Sequence, residues 1–212
     1  MKTRGNWNAT YENMRYTYDL NKDSVVLDFG GFTGGFAEKI ANTYGCKVYV
    51  YEAVNRYYKQ IVQKNNPNLI PFNCGVSTEN GTTYIHVCDE GSAIGEYADQ
   101  KKKNDKNDSY QRNVAKFANE PPEQIKIRDV AQLLNDYDRI DLLKINIEGI
   151  EYEILPRIIS SGHINKIKHL QIQFHDFVNN GEFLHENITT ELKKSHNLVF
   201  ESMWNWSFFT EK

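Results

Sequence analysis

The chain has 212 residues, of which 40% are hydrophobic and 25% charged, and a formal net charge of −3. That length suffices for one domain, residues 1–212, with its own core. The slight acidity excludes a general electrostatic attraction to nucleic acid or to an anionic membrane, and leaves room only for a local basic patch. No apolar run approaches the roughly 18 residues of a membrane span, and the first 20 residues lack the apolar stretch of a signal peptide, so a cytoplasmic location is expected. Cys46, Cys74 and Cys88 are odd in number and scattered, which reads as reduced thiols rather than a disulfide framework or a zinc site. The sequons at Asn8, Asn107, Asn187 and Asn205 read as chance in an Asn-rich chain.

In chain order, residues 1–20 form a polar, aromatic segment (Trp7, Tyr11, Tyr16, Tyr18) that suits a short helix lying on the domain. Ser24 to Phe29 is a short apolar run ended by glycines and reads as a buried strand. Phe36 to Tyr44 has helical spacing and stops at Gly45. Strand Lys47–Tyr51, helix Arg56–Asn65 and strand Asn68–Cys74 follow, and Thr82–Val87 alternates like a further strand after the Asn80-Gly81 turn. Residues 96–124 are highly charged and aperiodic, which predicts a polar lid or mobile loop with a short helix near Val114–Ala118. Then come strand Ile125–Ile127, helix Asp129–Asn135, strand Ile140–Ile147, helix Glu151–Ile159, strand His169–Phe174 and the amphipathic helix Leu184–Ser195. Asn197–Trp204 and Trp206–Lys212 read as a closing antiparallel pair around Asn205. Strands alternating with helices specify a doubly wound, mostly parallel sheet with helices on both faces.

The strongest local signal is Val26-Leu27-Asp28-Phe29-Gly30-Gly31-Phe32-Thr33-Gly34-Gly35-Phe36, a strand entering a glycine-rich turn from which a helix leaves. Glycine is needed where backbone turns tightly against a ligand, and amides at a helix start favour an anionic group. A dinucleotide fingerprint reads G-x-G-x-x-G. Here Phe32 occupies its second glycine position, and Asp28 would repel a pyrophosphate while suiting the amino group of S-adenosylmethionine (SAM). Glu52 ends the next strand, 24 residues after Asp28. A carboxylate at that strand tip can accept both hydrogen bonds of a ribose diol.

The late segment Asp141-Leu142-Leu143-Lys144-Ile145-Asn146-Ile147-Glu148-Gly149-Ile150-Glu151 completes a family pattern. The chain resembles the FkbM-like family of class I SAM-dependent methyltransferases. Its D-x-G-A-N-x-G turn matches Asp28 to Gly34, its F-E-P strand end matches Tyr51-Glu52-Ala53, and its D-L-L-K-x-D-x-E-G-x-E segment matches Asp141 to Glu151. Gly75 to Gly81 and Ile127-Arg128-Asp129-Val130 resemble two further family elements, so the likeness runs from about residue 24 to 175. Phe32, Ala53 and Asn146 depart from the pattern, where the family has Asn, Pro and Asp. The resemblance implies a Rossmann-like, seven-stranded sheet with an antiparallel C-terminal edge hairpin. It also implies SAM as cofactor, S-adenosylhomocysteine (SAH) as product, and O-methylation of a small-molecule or sugar hydroxyl. Asp28, Gly30, Gly31, Phe32, Thr33, Gly34, Glu52, Ala53, Cys74, Gly75 and Asn146 are the expected cofactor contacts.

Methyl transfer requires a nucleophile held near the donor, dry and aligned, and a hydroxyl acceptor gains from a positioned base. Ligands of doubly wound sheets sit outside the carboxyl ends of the strands. The ends left for the acceptor are Asn146-Ile147-Glu148 and Phe174-His175-Asp176. His175 is the expected base, because imidazole titrates near neutral pH. Asp176 or Glu148 would orient it or hold substrate, and Lys144 is the alternative base or a structural partner of Glu148 or Glu151. No tight spacing supports a metal site, and metal independence is expected. Ser92 and Ala93 come within reach of the cofactor. The C-terminal aromatics Trp204, Trp206, Phe208 and Phe209 and the N-terminal tyrosines are core residues or, alternatively, the lining of a sugar pocket.

Three function classes follow. A glycan or small-molecule O-methyltransferase leads. A methyltransferase acting on base amines is disfavoured because Ile147-Glu148-Gly149 replaces an Asn/Asp-Pro-Pro-aromatic motif, and an RNA ribose methyltransferase is disfavoured by the acidic charge. The third is a non-catalytic SAM-binding module of a larger glycan-assembly protein. The partners expected are a glycan or other small acceptor, without nucleic acid or membrane.

Overall fold

The structure, a computed structural model, describes residues 8–89, 91–105 and 120–212. It contains two sheets. The first has seven strands. Five run parallel: β1 (Val25–Phe29), β2 (Lys47–Tyr51), β3 (Leu69–Phe72), β8 (Ile140–Ile145) and β9 (Ile167–Ile172). They are joined at one edge by β11 (Trp206–Glu211), which is antiparallel to β9, and by β10 (His196–Ser202), which is antiparallel to β11. The spatial order is β10-β11-β9-β8-β1-β2-β3. The doubly wound sheet and its C-terminal hairpin are therefore those expected from sequence. The chain winds outward from β1 to β3 and returns to β8 on the other side of β1. This reversal opens a crevice above the carboxyl ends of β1 and β8, the usual ligand position in such sheets.

The central strands are apolar because both their faces are covered. Val26, Leu27, Phe29, Leu142, Leu143 and Ile145 are fully buried. Helices α2 (Gly35–Tyr44), α3 (Asn55–Gln63), α6 (Glu151–Ser160) and α7 (Gly181–Ser195) bury apolar stripes. Helix α2 ends where sequence places its stop: Gly45 adopts φ 70° and its amide donates to the Ala41 carbonyl. The short α5 (Val130–Leu134) is capped by Asp129, whose side chain accepts from the Gln132 amide at 2.9 Å. The N-terminal helix α1 (Ala9–Met14) lays Tyr11 on Phe200 of β10, with ring centroids 4.6 Å apart.

The second sheet was not anticipated. It has four strands in the order β4-β7-β5-β6, formed by β4 (Gly75–Ser77), β5 (Gly81–His86), β6 (Ala93–Ile94) and β7 (Glu123–Asp129). Strands of two and three residues are too short to show a period, and the expected strand Asn68–Cys74 stops at Phe72. Part of the expected lid is helical. Residues Gly95–Asn104 form helix α4, which buries Tyr97, Ala98 and Lys101 on one face. Its last-turn lysines, Lys101 to Lys103, complement the negative end of the helix dipole. The helix expected near Val114–Ala118 lies outside the described residues. Among the described residues no helix is long and apolar enough to cross a membrane.

A buried charge pair ties the two strands under the crevice. Asp28 and Lys144 are direct neighbours in the β1–β8 register. The Lys144 Nζ lies 2.8 Å from Asp28 Oδ1 and donates to the Gly30 carbonyl at 2.7 Å. Lys144 is thus the partner of Asp28, not of Glu148 or Glu151. Burial pushes the Asp28 carboxyl above its ordinary range, and the Lys144 ammonium opposes that push. Breaking such a pair from one side leaves a buried, uncompensated charge. Lys144→Met is expected to lower the unfolding free energy by about 3–5 kcal/mol, read by urea denaturation, and adding Asp28→Asn is expected to restore part of it. Equal stability of wild type and Lys144→Met would contradict this account of the pair.

Candidate active site

Above the Asp28–Lys144 pair, the chain bends through Gly30 and Gly31. A Cβ on Gly30 would stand 1.9 Å from the Asn146 carbonyl oxygen, and one on Gly31 would stand 2.2 Å from Val50 Cγ1. These glycines therefore let the turn press against β2 and the end of β8. Both their amides donate to the Tyr51 carbonyl, at 3.0 and 3.2 Å. The next residue, Phe32, adopts φ 49°, unusual for an aromatic side chain. Its amide donates to Glu52 Oε2 at 2.7 Å, and the Val54 amide donates to Oε1 at 2.8 Å. Glu52 thus holds the turn in shape. Helix α2 then starts at Gly35 with no side-chain cap, so its first amides are available to an anionic group.

A cavity of about 230 Å³ lies over this turn, and Gly30, Gly31, Phe32, Thr33, Glu52, Ala53, Gly75 and Asn146 are among the residues lining it. Three expected contacts do not reach it. Asp28 is fully buried behind the turn and engaged by Lys144; Gly34 packs beside Ile61 and Lys64; Cys74 is buried in the core. Asp28, expected to suit the amino group of SAM directly or through water, is instead engaged in a structural pair with Lys144. Ser92 lines the cavity, whereas Ala93 is buried outside it.

Glu52 presents a buried carboxyl to the cavity. Burial pushes its carboxyl up to about 7, against the two backbone amides and Lys144 that favour ionisation. Asn146 offers a second polar feature: its Oδ1 is buried and has no hydrogen-bond partner among the described residues. A buried, unsatisfied acceptor in a cavity wall is what a ligand hydroxyl or amine would relieve. The glycine cradle, a two-oxygen acid at the tip of β2 and this orphaned oxygen fit a nucleoside cofactor such as SAM.

Beyond the end of β8 stands a chain of four buried charges, of which Glu148 lines the cavity. Glu148, in a left-handed conformation with φ 54°, precedes Gly149 with φ 107°. Its carboxylate is bonded to the Lys101 ammonium of α4 and lies 3.3 Å from His175 Nε2. His175 Nδ1 lies 2.8 Å from Glu151 Oε1, and Glu151 Oε2 accepts from the Gly149 amide at 2.8 Å. Burial pushes Glu148 up, but His175 and Lys101 together outweigh it and hold the carboxyl at about 2. Burial pushes His175 down, but Glu148 and Glu151 outweigh it and hold the imidazole at about 10.

The expected catalytic residues are thus only partly assembled. Lys144 and Glu148 line the cavity; His175 and Asp176 do not. His175 is a caged cation between two carboxylates, not a free imidazole, and Asp176 is exposed on the following loop. The C-terminal aromatics are buried but line no part of the cavity, nor do Tyr11, Tyr16 and Tyr18; Trp7 lies outside the described residues. The cavity residues missed from sequence include the polar ones Arg15, Tyr57 and Asp89, and Lys101 was missed as the partner of Glu148. No sequence signal separated Lys101 from the charged run around it. Among the described residues no group of three or more His, Cys, Asp or Glu is placed to hold a metal ion.

Comparison with known proteins identifies the family and the fold. The chain matches the Methyltransferase FkbM domain over residues 24–202. Methyltransferase FkbM from Methylobacillus flagellatus KT has a similar structure, with TM-score 0.54 and 11% identity, over 92% of this chain and 45% of that one. The chain therefore spans less than half the length of that protein. A candidate methyltransferase from Streptococcus mutans, crystallised with SAH, matches with TM-score 0.53 and 10% identity over 100% of both chains. A candidate rRNA methylase from Clostridium thermocellum matches with TM-score 0.52 and 7% identity, over 95% of this chain and 93% of that one. At these identities the likeness is one of fold. No curated protein matches the chain. With the FkbM domain covering most of its length, the chain belongs to the FkbM family of SAM-dependent methyltransferases.

Proposed function

We propose that the chain transfers a methyl group to a hydroxyl oxygen of a sugar or another small molecule. The observation that carries this reading is Glu148, a carboxylate lining the acceptor end of the cavity and held ionised by Lys101 and His175. Bound over the glycine turn, SAM supplies an electrophilic methyl group. The protein's task is then to place one hydroxyl oxygen in line, exclude water and receive the proton. Glu148 accepts the hydroxyl's hydrogen bond and takes its proton as the oxygen loses electron density. Asn146 Oδ1 accepts from a neighbouring hydroxyl or from the cofactor. His175, enclosed by Glu148 and Glu151, is a positioning residue. Lys144 holds the turn from beneath. The low value of Glu148 makes it a weak base, adequate where proton loss follows formation of the carbon–oxygen bond. The net charge of −3 argues against a nucleic-acid acceptor.

The reading is tested by incubating the protein with SAM and a panel of mono- and oligosaccharides, with RNA in parallel, and following SAH release. Methyl ether formation on a saccharide hydroxyl is expected; methylation confined to RNA, or no turnover on any acceptor, would contradict it. Glu148→Gln is expected to lower kcat by about a hundredfold or more while SAH still binds. Unchanged kcat would remove Glu148 from the chemistry.

Glu52 gives a pH signature. Its ionised form is the one that accepts two ribose hydroxyls. Because the free carboxyl titrates at about 7, SAH affinity is expected to weaken as pH falls through 7, approaching about tenfold per unit below it. Glu52→Gln is expected to bind weakly with a flat profile between pH 6 and 8. A wild-type profile equally flat would contradict the assignment.

A further inference from the structure

We propose that Arg15, from the segment upstream of the family domain, binds the methionyl carboxylate of the cofactor and clasps the N-terminal segment over the site. This inference rests on the SAM-binding reading. Arg15 lies outside residues 24–202, which match the family domain, yet its side chain lines the cavity beside Phe36 and Lys144.

The residues around Arg15 aim it at an anion. Its guanidinium carbon sits 4.3 Å from the centroid of the Trp206 ring and 5.9 Å from that of Phe36, so aromatic rings fix its position. One terminal nitrogen pairs with Glu12 at 2.7 Å. Its Nε is buried and has no hydrogen-bond partner among the described residues. Native proteins rarely leave such a donor unsatisfied, and in a cavity wall a ligand acceptor is the natural remedy. The fork of an arginine matches a carboxylate with two parallel bonds.

Position in the cavity selects which ligand group it meets. Phe36 belongs to the first turn of α2, whose amides lack a side-chain cap, so backbone donors and Arg15 favour negative charge at the same end. Among the described residues Lys144 is the other cation lining the cavity, and it is committed to Asp28 and to the Gly30 carbonyl. Glu52, placed for the ribose, is held between the Phe32 and Val54 amides, and Asp89 lies with Tyr57. A cofactor with its ribose at Glu52 would direct its amino-acid tail toward α2 and Arg15.

The test compares two ligands on one protein. SAH carries the methionyl carboxylate, while 5′-methylthioadenosine has the same nucleoside and thioether without that tail. Calorimetry on wild type, Arg15→Met and Arg15→Lys is expected to show SAH binding weakened about ten- to hundredfold in Arg15→Met, partly recovered in Arg15→Lys, and methylthioadenosine binding unchanged in all three. Retained methylthioadenosine binding also shows that the variant is folded. Equal weakening of both ligands in Arg15→Met and in the conservative Arg15→Lys, or no weakening of SAH, would overturn the assignment of Arg15. Failure of wild type to bind either ligand would instead overturn the SAM-binding reading beneath it.

Discussion

The site rests on one buried ion pair. Asp28 and Lys144 face each other across the central strands, where neither would be tolerated alone. The pair does more than neutralise itself, because the same ammonium reaches the Gly30 carbonyl and so fixes the first bend of the glycine turn. From that bend the remaining geometry follows. Gly30 and Gly31 press against Asn146 and Val50, their amides close on Tyr51, and Phe32 is turned into the left-handed conformation that Glu52 stabilises through its amide. A dry charge pair is a costly way to join two strands. Here it also lies beneath the crevice that Glu52 lines.

The segment after β8 is organised by the same physics at a second place. Lys101, Glu148, His175 and Glu151 alternate in sign, so four buried charges sum to zero. Each member fixes its neighbours, and the strained backbone at Glu148 is held by partners from α4 and from the loop after β9. Strain stored at one residue and opposed by several contacts is a common sign of a functional position. The chain of charges also joins α4 to the strand ends through the Lys101–Glu148 pair.

Much of this was legible in the sequence where the signal is local. The run from Val26 to Phe36 announces strand, turn and helix by residue type alone, and Glu52 follows from its position at the next strand tip. The doubly wound order follows from alternating periods. Other features depend on contacts between distant residues. Lys101 looks like one of three solvated lysines until Glu148, 47 residues later, buries it. His175 looks like a base because imidazole titrates near neutrality, but two carboxylates contributed by the segment 148–151 convert it into a fixed cation. Asp28 looks like a ligand contact, yet its register partner takes it first. Arg15 carries no motif, and its place depends on Trp206 and Phe36 meeting it in three dimensions. The second sheet escaped notice because β4 and β6 are too short to show alternation.

The central claim is that a nucleoside cofactor lies in the crevice bounded by the glycine turn, the tip of β2 and the end of β8. Amide hydrogen exchange with and without SAH tests it most directly. The account predicts slowed exchange concentrated at Gly30 to Phe36, Glu52 to Val54 and Asn146 to Gly149. Unchanged exchange in these three segments at saturating SAH, or protection located away from them, would contradict it.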